Sequence, residues 1–92
     1  MNATGVIFGE GVPLPLGELI RLSREGFPLS LREAAKRMDM SPATLAQIES
    51  GRRPVKGIVT MVRLADGLGL PRTQVFEWAV ADLEDARERG AL

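Results

Sequence analysis

The segment from Ser30 to Gly51, SLREAAKRMDMSPATLAQIESG, leaves a chain of this kind little freedom of fold. Ser30 with Glu33 three residues on has the form of a capping box, in which a hydroxyl and a carboxylate close the first turn of a helix reciprocally. Leu31, Ala34, Ala35 and Met38 then recur at helical spacing. Asp39 falls in a turn, and Asp tolerates left-handed backbone better than most residues. Ser41 and Pro42 open a second helix, the serine as N-cap and the proline at the first position, where its missing N–H costs nothing. Leu45 and Ile48 face inward, and Gly51 supplies the stop. Two helices joined so tightly need small residues where they touch. Ala35 meets that need, and Met40 plugs the turn.

The rest of the chain fits around this pair. Residues 1–15 hold Gly5, Gly9, Gly11, Pro13 and Pro15 and read as an irregular arm with a short strand at residues 6–8. A first helix is expected from Leu16 to Glu25, ended by Gly26 and Pro28, with Leu16, Leu19 and Ile20 on its apolar side. After the basic loop RRPVKG, a fourth helix should run from Ile58 to Leu68 and bury Ile58, Met61, Val62 and Ala65. Residues 72–89 form a fifth, with Val75, Phe76, Ala79, Val80, Leu83 and Ala86 on one face. Trp78 lies off that stripe, beside Ala81, Asp82 and Asp85. Three roles are open to it besides its own core: packing under the arm, a dimer interface, or a contact with another protein. The expected organisation is an arm at 1–15, a helical domain at 16–71 and a C-terminal helix at 72–92 that packs or dimerises.

Composition narrows the function. Cys and His are both absent, which removes thiolate chemistry, disulfides, the commonest metal ligands and the commonest general base. No spacing suggests a catalytic site built from Asp, Glu, Lys or Ser, so neither an enzyme nor a metal or cofactor site is expected. GLGL at 67–70 follows a helical pattern and does not open one, unlike a phosphate loop. The N-terminus has no basic region leading into an apolar one, and no apolar run approaches bilayer length, so neither a leader nor a membrane partner is expected and a cytoplasmic location is. Net charge is zero, but it is unevenly spread. Residues 20–63 hold nine Lys and Arg against four acids, whereas residues 64–92 hold three Arg against six acids. The basic middle suggests an anion-binding surface.

The run LSLREAAKRMDMSPATLAQIESGRRP resembles the Xre family of lambda-repressor-like helix-turn-helix proteins. The resemblance rests on Ser41, Leu45, Ile48, Glu49 and Gly51, and extends to LIRLSRE in the first helix and MVRLADGLGL in the fourth. It implies an all-α, five-helix DNA-binding domain, usually dimeric through its last helices, and a transcriptional regulator acting on double-stranded DNA. It also implies an ion pair between Arg24 and Glu49. The departures are Asp39 for a turn glycine, Ser23 for a leucine, a longer loop before the fourth helix, and Leu31 where many members have a phosphate-touching glutamine.

On this reading the helix at 42–50 enters the major groove. Gln47 is its long outward polar side chain, suited to pairing with adenine N6 and N7. Thr44 and Ala43 offer methyl contacts, Pro42 packs on a sugar or thymine methyl, and Ser41 sits at a helix N-terminus that favours phosphate. Arg32, Arg52, Arg53 and Lys56 supply further phosphate contacts, which position without specifying. Val75, Trp78 and Ala79 are the interface candidates. The alternative is a protein-interaction module of the same fold, an antitoxin or regulatory adaptor, meeting a partner through Trp78 and the N-terminal arm.

Overall fold

The computed structural model describes the backbone of residues 7–8 and 12–90, and the side chains of residues 14–90. Five helices account for almost all of it: α1 (Leu16–Gly26), α2 (Leu31–Arg37), α3 (Pro42–Glu49), α4 (Ile58–Leu68) and α5 (Arg72–Glu88). The expected all-α, five-helix domain is present. In the arm, β1 (Ile7–Phe8) and β2 (Val12–Pro13) form a two-residue antiparallel pair, with Ile7 opposite Pro13. Val6 and the side chains of residues 1–13, which bear on the arm's proposed contact with Trp78, lie outside the described residues.

Local chemistry sets the helix ends. Ser30 and Glu33 form the full capping box, with Ser30 N–H donating to Glu33 Oε1 at 3.0 Å and Glu33 N–H to Ser30 Oγ at 3.1 Å. Asp39, at φ 56°, is the one left-handed residue other than glycine among those described, and Met40 N–H returns to Ala35 O at 3.0 Å. That pattern closes α2 as a glycine would and turns the chain into α3 within four residues. The N-terminus of α1 is closed differently. Pro15 offers no side-chain cap, and Asp82 of α5 reaches across to accept Leu16 N–H at 3.2 Å.

The core joins all five helices through Ile20, Ala34, Ala35, Leu45, Leu64, Leu68 and Val75, with Met38 at the end of α2, each fully buried. Two glycines let helices approach closely. A Cβ on Gly17 would lie 2.7 Å from Glu49 O and nearer still to Ile48 O, so α1 runs against the backbone at the end of α3. A Cβ on Gly67 would lie 2.6 Å from Met38 Cγ.

Two faces differ from expectation. In α4 the buried stripe is Leu64, Ala65, Gly67 and Leu68, with Met61 and Val62 half-buried, and Ile58 is 68% exposed. In α5 the buried residues are Val75, Trp78 and Ala79, while Phe76, Val80 and Leu83 are exposed. Both helices are apolar over more than one face, so periodicity alone allows two phases. The chosen phase in α5 puts the bulkiest side chain, Trp78 at 8% exposure, into the core and leaves the Phe76 stripe outside. The interface candidates Val75, Trp78 and Ala79 are therefore core residues, and a protein contact through Trp78 has no surface to use. Trp78 Nε1 is buried without a hydrogen-bond partner among the described residues. None of the described helices is long and apolar enough to cross a membrane.

Candidate nucleic-acid interface

The surface in question is built from α3, the turn after it and the first turn of α2. Helix α3 is held from behind by Leu45 and Ile48 in the core, so the opposite side faces solvent. Ser41, Pro42, Ala43 and Gln47 are exposed, and Thr44 is half-buried. At the helix start Ser41 Oγ accepts Thr44 N–H at 3.0 Å and donates to Thr44 Oγ1 at 2.9 Å. Pro42 has no N–H, so of the three first-turn amides that of Ala43 is left for an anion. Ser41 thus shapes the helix end, and its hydroxyl is already engaged at both roles.

At the other end Glu49 meets Arg24 of α1 as a two-pronged fork. Arg24 Nε lies 2.7 Å from Glu49 Oε2 and Nη2 lies 3.0 Å from Oε1, while Nη1 donates to Leu29 O at 2.9 Å. Side-chain exposure is 13% for Arg24 and 7% for Glu49. A pair this dry adds little net stability against an apolar substitute, but breaking it strands a charge, so it fixes the angle at which α3 leaves the core.

Beyond Glu49 the chain folds back on α3. Gly51 has φ 82°, Gly51 N–H donates to Ile48 O at 3.1 Å, and Arg52 N–H donates to Gln47 O at 2.9 Å. Those bonds are a Schellman closure, which a side chain at Gly51 would disfavour. Arg53 N–H adds a bond to Gln47 O at 3.1 Å. The turn also brings Arg53 Nε to 3.1 Å from the side-chain Oε1 of Gln47. Arg52, Arg53 and Lys56 are exposed and have no carboxylate partner among the described residues. The same holds for Arg32, at the second position of α2. Lys36, Arg37 and Arg87 likewise have none, whereas Arg21, Arg24, Arg63, Arg72 and Arg89 have carboxylate partners. Cations without partners are the ones free to meet phosphate.

The helix-turn-helix domain family matches residues 15–78. The chain belongs to that family. Among curated proteins there was no match. Among solved structures, the crystal structure of the clp gene regulator ClgR from C. glutamicum is similar, with a TM-score of 0.60 and 29% identity, covering 72% of this chain and 84% of that one. Within the helix-turn-helix unit, the residues singled out on α2 and α3 and in the turn are exposed, apart from the half-buried Thr44, and Arg24 with Glu49 is nearly buried. Sequence reading missed Gly17, Gly67, the Asp82 cap and the bond between Arg53 and Gln47. None of these leaves a periodic signal, because each depends on which elements meet.

Proposed function

We propose that this protein is a DNA-binding transcriptional regulator that lays α3 in the major groove. The observation that carries the reading is the exposed outer face of α3, with Gln47 as its long polar side chain and cations free of a carboxylate partner at Arg32, Arg52, Arg53 and Lys56. Similarity to a structure described as a gene regulator supports it. The cations and the Ala43 amide grip phosphate, and Gln47 touches base edges, with Thr44, Ala43 and Pro42 giving apolar contact. Regulation follows from occupying the site, whether to repress or to activate.

The protein acts as a homodimer on a roughly palindromic site with half-sites about 34 Å apart. The exposed stripe of Phe76, Val80 and Leu83 supports a second copy as partner. It lines a groove of about 300 Å³ together with Val55 and Met61. Ile58 and Val59 extend the apolar surface onto α4.

The test is selection from a random duplex pool, then salt titration of the winners. Four cations per protomer predict a slope of log K against log salt on the order of −7 for a dimer. Arg52→Glu with Arg53→Glu should abolish binding. Recovery of no sequence, with no salt-sensitive binding, would refute the regulator reading. It would favour the second one, an interaction module whose partner covers the Phe76 stripe, to which zero net charge and Leu31 also incline.

A further inference from the structure

We propose that the apolar groove between α4 and α5 is linked to the phosphate-facing loop through Val55 and Lys56, so that seating a second copy in the groove strengthens each protomer's own grip on DNA. The proposal rests on the reading above of a DNA-binding homodimer. It starts from the loop between α3 and α4. The first part of that loop is tied down, since the N–H groups of Arg52 and Arg53 both donate to Gln47 O. The second part is not. Pro54 has no N–H, the amides of Val55, Lys56 and Gly57 donate to no backbone carbonyl among the described residues, and Gly57 gives α4 no side-chain cap. What holds this stretch is Val55, half-buried against the core. Val55 is also a wall of the groove, lining the hollow of about 300 Å³ with Lys56, Met61, Phe76, Val80 and Leu83. A lysine stem can lie along apolar surface while its ammonium stays in water. A partner that fills the hollow therefore restricts both Val55 and the stem of Lys56. Order that the partner has imposed does not have to be imposed again by DNA, so the second binding event is favoured, and the effect is reciprocal.

The occupant this surface fits is a second copy of the chain. Phe76, 50% exposed, borders both this hollow and a neighbouring one of about 230 Å³ lined by Ile58, Met61 and Val62. The face thus offers an open ring beside hollows that can take one. A two-fold contact needs a surface that is both, because the same patch meets itself. Its size also fits. Ile58, Phe76, Val80 and Leu83, between 37% and 68% exposed, leave roughly 350 Å² of apolar side chain open. An interface of ordinary size takes about 800 Å² from each partner, a little more than half of it apolar. The patch supplies most of that apolar share.

The experiment takes the duplex recovered by site selection and shortens it to a single half-site, so that a dimer gains nothing from holding two. Half-site affinity per protomer is measured for the full chain above its dimer dissociation constant and for Phe76→Gln/Leu83→Gln, which removes the apolar stripe without adding charge. Both are measured again with Lys56→Gln. Sedimentation fixes the assembly state of each, and thermal melts check that these exposed substitutions leave the fold intact. The dimer should bind the half-site on the order of tenfold tighter than the stripe variant. With Lys56→Gln in both, that difference should vanish. In the unaltered chain, amide exchange at Val55, Lys56 and Gly57 should be slower above the dimer dissociation constant than below it. Equal half-site affinity per protomer in dimer and monomer would overturn the proposal. So would a difference that survives Lys56→Gln, or loop exchange that is independent of assembly. A chain that stays monomeric at every concentration refutes the dimer reading, and one with no salt-sensitive duplex binding refutes the DNA reading; the linkage falls with either.

Discussion

Replacing Gly17 with alanine sets two effects of known size against each other. Gly17 lies in the first turn of α1, and alanine is the better helix former by about 1 kcal/mol. Against that gain, the added Cβ would stand 2.7 Å from Glu49 O and 3.0 Å from Glu49 C, and closer again to Ile48 O. The obstacle is backbone, not the end of a pliable side chain. It cannot retreat easily, because Ile48 is buried and Glu49 is tied to Arg24 at 2.7 Å. Overpacking of this kind typically costs about 1–3 kcal/mol, and a backbone obstacle belongs at the upper end. After the propensity gain, a net loss of roughly 1–2 kcal/mol remains. In a domain of this size that lowers the melting temperature by about 5–15 °C. Gly26→Ala in the same helix is the control, because nothing lies within 4 Å of the added Cβ and the backbone there has no positive φ. It should be neutral or stabilising by up to about 1 kcal/mol. Thermal and urea melts of both variants decide the matter. A Gly17→Ala protein as stable as wild type would refute the close approach of α1 to α3.

Other outcomes follow from the same structure. Arg24→Met should cost on the order of 3 kcal/mol by stranding Glu49, while Arg24→Met with Glu49→Leu should recover most of it; equal losses in the two, read from urea midpoints, would deny that the pair is structural rather than stabilising. Phe76→Glu with Leu83→Glu should leave the helical fold intact and yield monomers in sedimentation, whereas Trp78→Ala should cost about 3–5 kcal/mol, because Trp78 is in the core. Stability should also fall in acid. The N–H and hydroxyl of Ser30 hold the Glu33 carboxyl below its ordinary range, and Arg21 and Arg72 do the same for Glu18 and Asp66. A carboxyl whose pKa is lower in the folded state stabilises fully above its unfolded pKa, and the contribution is lost as pH falls through the folded one. Melting temperature should therefore hold near neutral pH and drop below about pH 4, with Ser30→Ala reducing the acid sensitivity.

How far the sequence could be read depended on the range of the interaction. Helix ends are local, and the residues that make them are distinctive. Ser30 with Glu33, Ser41 with Pro42, and Gly51 and Gly69 at left-handed stops put the boundaries of α2, α3 and α4 within a residue of where they lie. The partnership of Arg24 with Glu49 spans 25 positions and was legible only through family resemblance. Facing was harder. Helix α5 carries Val75, Phe76, Trp78, Ala79, Val80 and Leu83, so apolar residues surround much of it and the hydrophobic pattern has no single phase. Helix α5 packs against α4 and α1, and in the phase it adopts there Trp78 is buried and Phe76 is exposed. The glycines at 17 and 67 were silent for a related reason, since a missing side chain advertises nothing until its neighbour is known. At the candidate interface, residue types named the exposed side of α3, but the bond between Gln47 and Arg53 depends on how the turn through Gly51 delivers Arg53.

The bond from Leu16 N–H to Asp82 also bears on the order in which the molecule can be completed. During synthesis α1 emerges first, and its cap lies 66 residues later on α5. Until that carboxylate arrives, the first turn of α1 lacks a partner for an amide it cannot satisfy itself. Since α1 in turn clamps α3 through Arg24, the orientation of α3 is finished only when α5 docks. Truncation within α5 should therefore loosen the motif at the far end of the chain, and the domain should melt as a single cooperative unit.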